Sequence, residues 1–173
     1  MPASTRPVSG NCTFWHTLLH VRALGVDLGR RRIGLALSDA SGILATPWRA
    51  LAAGASPRDS AGRLAALLQH EAARDASLSE VDRIVVGLPR RLSGEETDQS
   101  AEARLFAKAI AELTGLAVHL QDERLTSREA ESRLAIRERD WRARKARLDA
   151  ATAAIILQDY LDAHQPEPPD QGD

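Results

Sequence analysis

The stretch from Ala23 to Asp39 constrains this chain most: Ala-Leu-Gly-Val-Asp-Leu-Gly-Arg-Arg-Arg-Ile-Gly-Leu-Ala-Leu-Ser-Asp. Two apolar runs, residues 23–28 and 33–38, flank a short turn of Gly and Arg, which reads as a β-hairpin. Asp27 breaks the apolar pattern of the first run. Burying an ionised carboxylate is costly, so such a residue is paired or binds a metal. The rest of the chain has to supply its partners.

Residues 43–45 extend towards a third short strand, which Pro47 is expected to stop. Ser56-Pro57-Arg58-Asp59 reads as a helix start, with Ser at the N-cap and Pro at the first helical position. Leu64, Leu67 and Leu68 give that helix one buried stripe, and it should end near Asp75. Residues 81–89 form a short apolar run bounded by Gly87 and Pro89, as expected of a central parallel strand. A loop over 90–94 leads to a second helix over 95–113, with Ala103, Phe106, Ala107, Ile110 and Leu113 on one face and Gly115 as its C-cap. A further strand, 116–120, runs out into Gln121-Asp122-Glu123-Arg124. A third helix is expected over 127–135 and a last one over 146–164, buried through Ala150, Ala154, Leu157 and Leu161. The order predicts an α/β fold: a mixed sheet with an antiparallel β-meander followed by parallel strands, and helices on both faces. Residues 22–164 are expected to form the domain. Residues 1–21, rich in Pro, Ser, Gly and Thr, are expected to be a disordered or non-native extension without a part in activity. Residues 165–173 read as a disordered acidic tail.

Composition narrows the classes. Net charge is −1, so binding to nucleic acid must come from a local basic patch. The single Cys12 excludes an intrachain disulfide framework and fits a reducing compartment. No apolar run approaches the roughly 18 residues of a membrane span, and no secretory signal is legible. A cytoplasmic protein with no membrane partner is expected. No interface patch stands out, so monomer and dimer remain open.

Three sets of carboxylates fall where elements should converge: Asp27, then Asp122 with Glu123 at a strand end, then Asp149 beside Ala150, Ala151 and Ala153. Oxygen ligands from three elements suit a hard divalent cation such as Mg²⁺ or Mn²⁺. The five His residues show no ligand spacing. Two ions about 4 Å apart can activate a water and stabilise the leaving oxygen in phosphodiester hydrolysis. Taken singly, each acid also has a structural explanation: a turn residue, a helix cap, or a dipole partner. Basic residues border the same places. Arg31 and Arg32 lie at the hairpin turn, Arg90 and Arg91 follow the central strand, and Arg124 follows the acids. Between residues 137 and 147, six Arg or Lys, among them Arg142, Arg144 and Lys145, stand against two acids. Such residues contact phosphates without reading sequence. Trp141 is a stacking candidate.

Gly25-Val26-Asp27-Leu28-Gly29 with Arg32-Ile33-Gly34-Leu35-Ala36-Leu37-Ser38-Asp39 resembles the opening motif of the YqgF/RuvX family. Val86-Gly87-Leu88-Pro89 with Gly94 resembles its second motif, and Asp122-Glu123-Arg124-Leu125-Thr126-Ser127 with Ala130 its third. Asp149-Ala150 with Ala153-Ala154, Ile156-Leu157-Gln158 and Tyr160-Leu161 resembles its last. The resemblance implies an RNase H-like fold related to the RuvC resolvases. It also implies a metal-dependent nuclease acting at the 5′ end of precursor 16S ribosomal RNA in ribosome biogenesis. Carried over by position, Asp27, Glu123 and Asp149 would be the catalytic, metal-binding acids, with Asp122 and Asp39 in supporting places. Where many members have a small polar residue and an acid after Gly-Leu-Pro, this chain has Arg90-Arg91-Leu92-Ser93, which favours phosphate contact.

Other functions fit parts of the pattern. A Holliday-junction resolvase-like DNA endonuclease would use the same acids on branched DNA. An actin-like ATPase shares the Asp-x-Gly opening, yet needs a second domain to close over its nucleotide. A non-catalytic RNA- or junction-binding protein would keep the basic residues alone.

Overall fold

The structure is a computed structural model that describes residues 22–90, 93, 95–122 and 141–164, with residues 141–145 described by backbone alone. Five strands form one sheet: β1 (Arg22–Leu28), β2 (Arg32–Ser38), β3 (Ala45–Ala52), β4 (Val81–Leu88) and β5 (Ala117–Asp122). Their order across the sheet is β3-β2-β1-β4-β5. β1–β2 and β2–β3 are antiparallel, whereas β1–β4 and β4–β5 are parallel. This is the mixed sheet that the sequence predicts, an antiparallel meander followed by parallel strands.

Helices α1 (Pro57–Ala72) and α2 (Asp98–Thr114) cover one face, and α3 (Trp141–Ala163) covers the other. Strand alternation divides the side chains between them. Leu24 and Val26, Ile33 and Leu35, and Ile84 and Val86 enter the α1–α2 core, where they meet Leu64, Phe106 and Ile110. Ala23, Ala36 and Val85 face the other way, against Ala153, Ile156, Leu157 and Tyr160 of α3.

The helix starts follow their capping chemistry. Ser56 caps α1, its hydroxyl accepting from the Asp59 amide at 3.1 Å, with Pro57 in the first turn. α2 starts three residues later than its acidic lead suggests. Thr97 and Ser100 form a reciprocal capping box, and Glu96 instead pairs with Arg90 and Arg104. Gly115 ends α2 with φ 72°, a left-handed conformation that suits glycine.

Two expectations need correction. β3 does not stop at Pro47 but continues to Ala52. It is an edge strand, and its register with β2 shifts between Leu35 and Ala36, so Trp48 is an extra residue. Edges and bulges are where a strand tolerates a proline that cannot donate. α3 begins at Trp141 rather than near Ala146, so the end of the basic run belongs to its first turns. A short 3₁₀ segment, Ala76–Glu80, also precedes β4. The expected helix over 127–135, the N-terminal extension and the acidic tail lie outside the described residues.

Candidate active site

Asp27 sits near the end of β1, opposite Gly34 in the hairpin register. Alternation places it with Gly25 on the α3 face. Asp149 lies in the third turn of α3 and reaches the same place through a close helix–sheet contact. Positions 149, 153 and 157, four apart, form one stripe. A Cβ on Gly25 would lie 2.7 Å from the Ala153 carbonyl oxygen and from Leu157 Cβ. A Cβ on Gly34 would overlap the Asp149 carbonyl oxygen, far inside the 3.0 Å that real Cβ contacts respect. The two glycines let the α3 backbone rest on the hairpin, and the Asp149 end of the stripe comes down beside Asp27.

The electrostatics follow. Burial pushes the Asp27 carboxyl up to about 6 from its ordinary 3.8, and the charge of Asp149 acts in the same direction. Arg32, on the same face of β2 as Gly34, forms an ion pair with Asp149, Nε to Oδ2 at 3.0 Å. Both side chains are mostly buried, at 26% and 22% exposure. The N–H is not aligned on the oxygen as a hydrogen bond, so the contact is charge pairing. The Gly29 amide donates to the Arg32 carbonyl at 3.0 Å and closes the turn. A Cβ on Gly29 would stand 2.6 Å from that oxygen, which accounts for the glycine. Arg30 and Arg31 are exposed at the tip, and the Arg31 carbonyl accepts from the Ala53 amide at 3.0 Å.

Asp122 does not join this group. It is paired with Leu88 and continues the Val118–Leu120 side of β5, which faces the α1–α2 core. Its Oδ2 is 3.9 Å from Arg90 Nη1, and Arg90 Nη2 is 3.8 Å from Glu96. The parity of one residue puts Asp122 across the sheet from Asp27, and Arg90 lies beside Asp122. Asp122 and Arg90 thus pair with each other on the α1–α2 side of the sheet. Asp39 is at the far end of the hairpin. Its carboxylate accepts from the Ile43 and Leu44 amides at 2.8 and 3.0 Å and from the Ser41 hydroxyl. The Ser41 bond, then the Leu44 amide, hold its pKa below the usual range. Asp39 is a turn residue.

Glu123, Arg91 and Arg124 lie outside the described residues, as do the side chains of Trp141, Arg142, Arg144 and Lys145. Among the described residues no set of three or more His, Cys, Asp or Glu gathers as a metal site. What they supply is the Asp27–Asp149 pair: two oxygen donors of like charge on one face, one with its ionisation suppressed by burial and by the other. That pair fits a hard divalent cation. Sequence reasoning assigned no role to Gly34 and did not foresee that Arg32 pairs with Asp149. The alternation Arg32-x-Gly34 opposite Asp27 was the available signal for both.

Residues 21–163 match the family described as "RuvX: Holliday junction resolvase". The chain belongs to the RuvX family. Among curated relatives, a protein of Anaeromyxobacter dehalogenans strain 2CP-1 is 47% identical over 146 residues, covering 84% of this chain and all of that one. One of Synechocystis is 36% identical over 153 residues, covering 88% and 95%. Both carry the name "Putative pre-16S rRNA nuclease". A solved structure of T. thermophilus RuvC in complex with Holliday junction substrate aligns over 81% of this chain and 96% of its own, with 16% identity and a TM-score of 0.41. Among the described residues no helix is long and apolar enough to cross a membrane.

Proposed function

We propose that this RuvX-family chain is a divalent-metal-dependent nuclease that hydrolyses phosphodiester bonds in precursor 16S ribosomal RNA. The observation that carries the reading is the Asp27–Asp149 pair, held on one face of the sheet by the Gly34 contact and bordered by Arg32 at a turn with exposed arginines. Asp27 and Asp149 would hold the cation. Glu123 is the third candidate, on the resemblance of Asp122-Glu123-Arg124-Leu125-Thr126-Ser127 to the family's third motif. The bound cation, Mg²⁺ or Mn²⁺, would supply Lewis acidity towards the attacking water and the leaving oxygen. The chain's own groups bind and orient. Arg30, Arg31 and Arg32 offer phosphate contacts at the hairpin end, and the basic positions Arg142, Arg144 and Lys145 extend them in sequence. Such a substrate implies a cytoplasmic location.

The test compares wild type with Asp27→Asn on precursor 16S RNA, unrelated structured RNA and a four-way DNA junction, with Mg²⁺, Mn²⁺ or chelator. The reading expects metal-dependent cleavage of precursor RNA that Asp27→Asn abolishes. Preferential cleavage of the junction would move the substrate to branched DNA. Binding without cleavage under every metal would leave a non-catalytic binder.

A further inference from the structure

The inference here rests on the metal reading and concerns the cation that the chain itself already places in the site. Asp27 and Asp149 are brought to the same face of the hairpin by the Gly34 contact, two carboxylates of like charge. Asp149 is compensated by Arg32, at 3.0 Å. The guanidinium thus occupies a carboxylate that a divalent cation would need. We propose that Arg32 is an exchangeable counter-ion. Without substrate it neutralises Asp149. When nucleic acid binds, it turns to a phosphate and leaves Asp149 to the divalent cation.

Four observations support the exchange. The pair is close but not aligned as a hydrogen bond, so it holds the charge without the directional bonds that would lock an arginine. The Arg32 backbone is fixed by the Gly29 bond and by pairing with Ala52 of β3, so only the side chain needs to move. Arg32 stands next to exposed Arg30 and Arg31, at the end of the hairpin where a phosphate backbone would arrive. A guanidinium serves carboxylate and phosphate with the same planar donor fork, so either partner satisfies it.

The consequence is a linkage. Divalent cation and nucleic acid each favour the state in which Arg32 has left Asp149, so each should raise the other's affinity, reciprocally. The site would be poorly loaded until substrate is present.

The experiment measures Mn²⁺ binding to the full chain by calorimetry and by the EPR signal of free Mn²⁺, without nucleic acid. Wild type, Arg32→Gln, Arg32→Lys and Asp27→Asn are compared. Arg32→Gln should bind Mn²⁺ roughly fivefold or more tighter than wild type, the lower end of ordinary coupling between sites. Arg32→Lys keeps the charge and should stay near wild type, a difference that loss of packing would not produce. In filter binding with a hairpin RNA, Arg32→Gln should also lower the salt slope by about one unit, as for one lost phosphate contact. Mn²⁺ affinity in Arg32→Gln equal to wild type or weaker overturns the proposal and leaves the metal site standing. If Asp27→Asn binds Mn²⁺ as wild type does, the metal reading fails and this inference with it. Should Arg32→Gln not fold, the measurement passes to wild type, whose Mn²⁺ affinity should rise on adding the hairpin RNA. No rise overturns the proposal.

Discussion

The backbone carbonyl of Asp149 lies directly over Gly34, in space that any β-carbon on Gly34 would occupy. Gly34 is the cross-strand partner of Asp27. One absent side chain therefore sets how close the helix-borne acid comes to the strand-borne acid. Gly34→Ala must push α3 away or bend β2. Overpacking of this kind costs about 1–3 kcal/mol, so the thermal midpoint should fall and nuclease activity should fall further. Gly62, inside α1, is the control. A Cβ there meets nothing within 4 Å, and Gly62→Ala should gain about 0.5–1 kcal/mol from helix propensity. Denaturant unfolding of the two variants should give opposite signs.

Asp27 is a residue whose removal should help the fold and end the chemistry. Burial and the neighbouring Asp149 both oppose its ionisation. Asp27→Asn keeps the shape and drops the charge, so without divalent metal it should stabilise the protein at pH 7.5 by about 1–2 kcal/mol. The same variant should lose metal-dependent cleavage. Paired unfolding and cleavage assays check both halves, and a destabilised Asp27→Asn would contradict the electrostatic account.

The same carboxyl gives a pH dependence with a definite sign. Asp27 titrates near 3.8 in an unfolded chain and at about 6 in the fold. Between those values the folded state holds a proton that the unfolded state has released. Its contribution to stability is complete below pH 3.8 and is lost as pH rises through 6, at up to about 1.4 kcal/mol per pH unit. Asp39 and Glu96, whose pKa values are lowered, act in the opposite direction. The clean measurement is therefore the difference between wild type and Asp27→Asn. That difference should widen in favour of the variant from pH 4 to 7 without metal. Saturating Mn²⁺ should shrink it at pH 7.

The fold was legible wherever local chemistry decides it. Ser56-Pro57 and Gly115 mark helix ends by capping, and the Leu24–Val26 alternation marks the buried face of β1. What was not legible depends on neighbours far along the chain. Pro47 reads as a stop until β3 is known to be an edge with a bulge at Trp48. Asp122 and Glu123 are equivalent acids until the register Leu88–Asp122 assigns the first to the α1–α2 face. Asp27 was recognisable as a misplaced acid in an apolar strand. Its closeness to Asp149 hangs on Gly34, a residue with no chemistry of its own, 115 positions before its helical neighbour.

That register makes the last prediction. If alternation is what separates the two acids, Asp122→Asn should behave differently from Asp27→Asn. Asp122 faces Arg90 at 3.9 Å, and Arg90 also has Glu96 at 3.8 Å. A solvent-accessible ion pair at this long separation contributes about 0–1 kcal/mol. Asp122→Asn should therefore lower stability slightly, through Arg90, and leave Mn²⁺ affinity unchanged. Cleavage should change by less than about 1 kcal/mol in barrier, roughly fivefold in rate. Calorimetric Mn²⁺ titration of the two variants side by side decides it: a loss of affinity in Asp122→Asn equal to that in Asp27→Asn would return Asp122 to the metal site and overturn the two-face assignment.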